Sequence, residues 1–91
     1  MQVKDPDARL DYAVDWSTFL SSHDPPDTIT GAAWVQYDED LTVDDEGLDG
    51  DRHVAFVSGG VVNKVYRLTS RITTTAGRIQ DQTFALIIRE T

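Results

Sequence analysis

From Asn63 to Arg89 the chain alternates between apolar and polar positions with a period of two. Tyr66, Leu68, Ser70 and Ile72 fall on one side, and Arg67, Thr69, Arg71 and Thr73 on the other. After Thr75-Ala76-Gly77 the alternation resumes, with Phe84, Leu86 and Ile88 set against Thr83, Ala85 and Arg89. Period-two patterning with β-branched residues on both sides of a glycine-containing turn predicts a long antiparallel hairpin with one apolar face. Gly77 can take the positive φ that a short hairpin loop needs. A two-stranded ribbon is marginal in water, so the rest of the chain must cover that face.

The same patterning predicts further strands. Leu10, Tyr12, Val14 and Trp16 alternate with Asp11, Ala13 and Asp15. The Ser17–Ser22 stretch reads as one helical turn, capped by Asp15 or Ser17, that sets Phe19 and Leu20 over one end of the core. His23–Asp27 is a loop, since Pro25 and Pro26 cannot donate to a ladder. Thr28–Tyr37 is a strand anchored by Ile29 and Trp34, whose parities differ, so Gly31 between them fits a bulge. Leu41–Val43 is a short strand, Asp44–Asp51 an acidic loop, His53–Val57 another strand, and Ser58-Gly59-Gly60 a turn into the hairpin. Six to seven short strands with a turn signal every 8–12 residues or so predict an all-β, Ig-like antiparallel β-sandwich. Residues 1–9 read as an extended N-terminal arm and residues 10–91 as the sandwich domain.

Ninety-one residues make a single domain that can bury roughly 60–65% of its unfolded surface. Cysteine is absent, which removes disulfides, thiolate metal sites and a cysteine nucleophile. For so small a domain it points to a product, or a particle, assembled inside a cell. No apolar run approaches the ~20 residues of a membrane span, and no signal peptide is expected. Sixteen acids against eight bases give a formal net charge of −8, which disfavours nucleic-acid binding. The acids are mostly aspartate, and Lys4 and Lys64 are the only lysines, a surface that a high-salt, halophilic cytoplasm would tolerate.

Candidate chemistry is sparse. Asp45, Asp49 and Asp51 form a weak calcium candidate, because hard cations take oxygen ligands from glycine-containing loops. The spacing misses the EF-hand pattern, and a solvated loop is the simpler reading. Asp11 and Asp15 would stand ~13 Å apart along a strand, too far for a carboxylate pair in glycoside hydrolysis without bending. His23 and His53 are isolated and read as loop or strand-edge residues. Trp16, Trp34, Tyr12, Tyr37 and Tyr66 suit core packing better than a sugar-stacking platform. The nucleophile-elbow, P-loop and Rossmann signatures are missing. The expectation is no enzyme, no cofactor and no catalytic residue.

Four stretches, KDPDARLDYAVDWSTFL, DTITGAAW, VAFVSGG and YRLTSRITTTAGR, resemble short proteins encoded among the structural genes of tailed viruses. The positions that carry the resemblance are Lys4, Asp5, Pro6, Leu10, Asp11, Tyr12, Asp15 and Trp16 at the opening. They continue through Asp24, Thr28, Ile29, Trp34, Ser58, Gly59 and Gly60 to Tyr66, Thr69, Ile72, Thr74, Gly77 and Arg78. Asp24 is set apart from Thr28 by Pro25-Pro26-Asp27, and residues 38–51 are unusually acidic, so loop contacts do not carry over. The resemblance implies a non-enzymatic virion protein assembled in the host cytoplasm: a capsid decoration, a neck or tail accessory, or a fibre-associated protein. It implies docking on other virion proteins, the major capsid protein or a tail or neck protein, with a homo-oligomer left open and neither nucleic acid nor membrane as partner. Lys4, Asp5, Pro6, Arg9, Asp11 and Asp15 are the docking candidates. An Ig-like carbohydrate- or cell-surface-binding module and a calcium-stiffened spacer are the readings from other classes.

Overall fold

The computed structural model describes residues 2–36 and 38–90. Seven strands are arranged as β1 (Gln2–Lys4), β2 (Leu10–Asp15), β3 (Ile29–Gln36), β4 (Leu41–Asp49), β5 (Arg52–Gly59), β6 (Val65–Thr74) and β7 (Ile79–Ile88). One short helix, α1 (Ser17–Ser21), follows β2. The strands form a four-stranded sheet in the order β1-β7-β6-β3 and a three-stranded sheet in the order β2-β5-β4. The orders 7-6-3 and 2-5-4 are those of the G-F-C and B-E-D strands of an Ig sandwich. The hairpin expected in the sequence is β6–β7, paired from Val65↔Ile87 to Thr73↔Ile79, and its turn holds Gly77 at φ 88°. The bulge expected at Gly31 is present as a register shift between Ile29 and Gly31.

Three expectations are corrected. The stretch read as an N-terminal arm contains β1, which pairs parallel with Leu86–Ile88, so the sandwich is not wholly antiparallel and this segment belongs to the sheet. The stretch read as an acidic loop is mostly strand: β4 runs to Asp49 through a bulge between Asp44 and Gly47, with Asp45 at φ 48°. Acidic side chains on an exposed strand face leave backbone pairing intact, and composition hid this. His53 is a buried residue of the central strand β5, neither loop nor edge. Tyr37, one of the aromatics named above, lies outside the described residues.

Two apolar clusters fill the space between the sheets. One is built from Leu41, Val57, Tyr66, Leu68, Leu86 and Ile88, the other from Trp16, Leu20 and Ile72. Ser70, fully buried on β6 between Leu68 and Ile72, lies at the junction. Its Oγ accepts the Trp16 indole N–H at 3.0 Å and stands 2.6 Å from His53 Nδ1. The indole can only donate, so every group is satisfied when the serine hydroxyl donates onward to an unprotonated Nδ1. The imidazole stacks on Trp34 with ring centroids 4.5 Å apart.

Tyr66 opens β6 and reaches back to the preceding turn. Its hydroxyl accepts the Val61 N–H at 2.8 Å and donates to Asp40 at 3.3 Å, the arrangement of the tyrosine corner in Ig-like domains. The turn before it depends on two glycines: a Cβ on Gly59 would meet the Asp40 carbonyl at 2.9 Å, and one on Gly60 the Ile88 side chain at 2.6 Å. Asp27 fixes the other end of the hairpin by accepting from Arg78 at 2.8 Å and from the Thr28 and Ala76 N–H groups. These bonds, with that of the Thr74 hydroxyl first among them, hold its carboxyl well below the usual carboxylate range.

Two tests follow from this core. Tyr66→Phe removes an acceptor and a donor at a buried site and should cost about 1–2 kcal/mol, a fall of roughly 5–10 °C in Tm by thermal denaturation. Burial pushes His53 below its ordinary value, so the unfolded chain takes up the proton first as pH falls. Stability carried by the neutral imidazole is therefore complete above about pH 6.5 and declines below it. His53→Gln should flatten that part of a denaturant-midpoint profile between pH 7 and 5.

Candidate docking surface

The sandwich exposes two outer faces of unlike chemistry. In β2, β4 and β5 the inward set includes Tyr12, Val14, His53, Ala55 and Val57, which turns Asp11, Asp15, Asp44, Asp49, Arg52 and Phe56 outward. Arg9 lies over this face, 4.2 Å above the Phe56 ring, and bonds Asp44 at 3.1 Å as well as Asp45. Acids outnumber bases here.

The opposite face, on β1, β7, β6 and β3, carries little acid. Alternation turns Val65, Arg67, Arg71 and Thr73 of β6 outward, opposite Ile87, Ala85, Asp81 and Ile79 of β7. Asp81 is the one acid on these strand positions among the described residues, and it is paired with Arg71 at 2.8 Å. Register places Val3, Ile87 and Val65 side by side across three strands, and Val3 is 53% and Val65 38% exposed. Val61 and Val62, in the turn before β6, are exposed as well. A row of aliphatic side chains on the solvent side of a sheet is where a partner surface gains most from contact.

The predicted docking residues are divided by this geometry. Arg9, Asp11 and Asp15 belong to the acidic side, and Asp15 also accepts the Ser17 N–H ahead of α1. Asp5 and Pro6 lie in the turn after β1, where Asp5 accepts the Asp7 N–H. Lys4 is not available for docking: it is 1% exposed, and its Nζ donates to the Asp5 and Gly59 carbonyls, both at 2.8 Å. Burial lowers its pKa. The weak calcium set is dispersed, with Asp45 at the β4 bulge on Arg9, Asp49 3.7 Å from Arg52, and Asp51 in the β4–β5 turn. Among the described residues no group of three or more acids or histidines is placed to hold a metal ion.

Val3, Val65 and Ile87 were missed as surface residues because each could pass for core in a one-dimensional reading. Their signal was present all the same: Val65 and Ile87 occupy the parity that Arg67, Thr69, Arg71 and Arg89 mark as outward.

Fold and surface together define a small Ig-like sandwich module with one acidic face and one acid-poor, partly aliphatic face. The chain belongs to a family of tail proteins of tailed viruses: the family model of the podophage GP4 fiber-tail adaptor protein gp77 matches residues 4–87. Comparison with curated proteins returns no match. The protein is accordingly a virion tail component, and the family places it with the tail and fibre apparatus.

The dispersal of Asp45, Asp49 and Asp51 has a simple consequence. Millimolar calcium should raise Tm no more than sodium chloride of equal ionic strength does, and EDTA should leave Tm unchanged. A calcium-specific rise would restore the stiffened-spacer reading.

Proposed function

We propose that the protein is a non-enzymatic adaptor that joins a fibre to the tail, with the acid-poor face as its seat on the tail. The observation that carries this reading is the in-register Val3–Ile87–Val65 row on the face that lacks the acidic excess. A tail surface packed against that row excludes water from aliphatic groups without desolvating a field of carboxylates. The acidic face then turns to solvent and keeps the particle soluble. Membership of a fibre-tail adaptor family supports the tail over the shell as the site of attachment.

A non-enzymatic role is supported by the burial of the serine–histidine pair. Ser70 and His53 are 0% and 1% exposed, and their bond to each other ties them into the core. The aromatic groups favour packing over a sugar platform: Tyr12, Phe84 and Trp34 are partly buried and pack against one another, with centroids 5.4 and 6.0 Å apart.

Val3→Glu and Val65→Glu place a charge on the exposed members of the row, where the isolated domain tolerates it. Each should lower the copy number in purified particles, measured by quantitative mass spectrometry against the major capsid protein, by about tenfold or more while Tm changes little. Normal incorporation of both variants would overturn this seating.

A further inference from the structure

The side of the sandwich between β2 and β7 is open. Strand β1 covers β7 only at Leu86–Ile88, and among the described residues no strand pairs with that edge of β7 from Ile79 to Ala85. The direction of the main chain there follows from the ladder. Ile88 donates to Lys64 and accepts from Asn63 on the β6 side, while Arg89 donates to Lys4 on the β1 side. Alternate residues of a strand direct their N–H and C=O groups to opposite sides. The N–H and C=O groups of Asp81 and Thr83 therefore point out of the sheet. Among the described residues strand β2 pairs only with β5, so its outer edge is open there as well.

These two edges flank a groove of about 320 Å³ lined by Gln2, Tyr12, Asp15, Gln82 and Phe84, among others. The Tyr12 hydroxyl is buried and has no hydrogen-bond partner. Among the described residues no lysine or arginine lines the groove, whereas Asp15 does, and Asp11 lies on the same strand.

We propose that this groove takes an extended terminal segment of the fibre protein, which adds to β7 as a parallel or antiparallel strand and carries a lysine or arginine toward Asp15. The inference rests on the adaptor reading above and extends it to the second partner. An open row of main-chain donors and acceptors is matched only by another strand, which gives affinity through main-chain bonds and specificity through alternate side chains. The open stretch, about 20 Å over Ile79–Ala85, accommodates six or seven residues. A slender fibre presents chain ends that can enter such a groove, whereas a broad tail surface suits the flat face opposite. Asp15 as the one charged side chain of that lining favours a basic segment.

The test measures binding of the purified fibre protein to wild type, Thr83→Val and Thr83→Pro, together with amide hydrogen exchange of the wild-type complex. Both variants lose the Thr83 hydroxyl bond to Thr69, but only the proline removes the outward N–H. Thr83→Val should bind like wild type, Thr83→Pro about tenfold more weakly. The fibre protein should slow exchange at Asp81, Thr83 and Ala85, and added salt should weaken binding. Equal binding by the two variants, or protection confined to the Val65 and Ile87 face, overturns the proposal. So does protection of the same amides in the adaptor alone that grows with concentration, which would make a second copy the occupant. Should Thr83→Pro fail to fold, exchange in the wild-type complex decides. Loss of groove binding with Val65→Glu still excluded from particles leaves the adaptor reading standing. Failure of wild type to bind the fibre protein at all sinks both.

Discussion

A single hydroxyl at the centre of β6 joins the two halves of the core. Ser70 interrupts an otherwise apolar row, Leu68 and Ile72 on either side of it, and takes the indole proton of Trp16 from the end of β2. Its own O–H donates a hydrogen bond to His53 on the facing sheet. Three polar groups are thus buried without an orphan, and the sheets are held in one relative register by directional bonds where apolar packing alone would tolerate sliding. The stacking of Trp34 on His53 extends the same constraint to β3. The neutral imidazole is part of that closed set of bonds, and a proton at Nδ1 would break it.

Charge is handled by segregation. Lys64 gathers Asp38 and Asp40 at the base of β6, Arg78 holds Asp27 at the hairpin tip, and Arg9 holds Asp44 and Asp45. With Arg52 on Asp49 and Arg71 on Asp81, five of the eight basic side chains are spent on tying acids to the frame. Exposed pairs of this kind add little stability each, and their effect is one of placement. The acidic excess lies on one sheet and in the loops, so that the other sheet presents aliphatic surface with Asp81, paired to Arg71, as its one strand acid among the described residues.

Where the pattern had a period, the fold was legible. The β6–β7 hairpin, β2, the Gly31 bulge and the single turn of α1 all follow from alternation, glycine placement and a proline stop. What was not legible depended on contacts between distant residues. Nothing local in VQYDEDLTVDDEGLDGD distinguishes an acidic strand from an acidic loop, because backbone pairing with β5 decides it. Lys4 was read as exposed because lysine usually is. Its burial depends on the Gly59 carbonyl, 55 residues away, which no window around residue 4 contains. Asp27 carries no local mark either, since its partners Ala76 and Arg78 lie in the β6–β7 turn, 49 and 51 residues away. The docking face needed register as well as parity: Val3, Ile87 and Val65 become neighbours only once β1 is known to lie against β7.

That contact between β1 and β7 also has a mechanical meaning. The two strands run parallel, so tension that draws β1 toward its N-terminal side and β7 toward its C-terminal side slides one strand along the other. All the bonds between them, and the two that Lys4 makes inside, then share the load and must yield together. Antiparallel strands peeled from one end would yield one bond at a time. On the adaptor reading proposed above, a pull that reaches the domain through β1 and β7 meets the pair of strands best arranged to resist it.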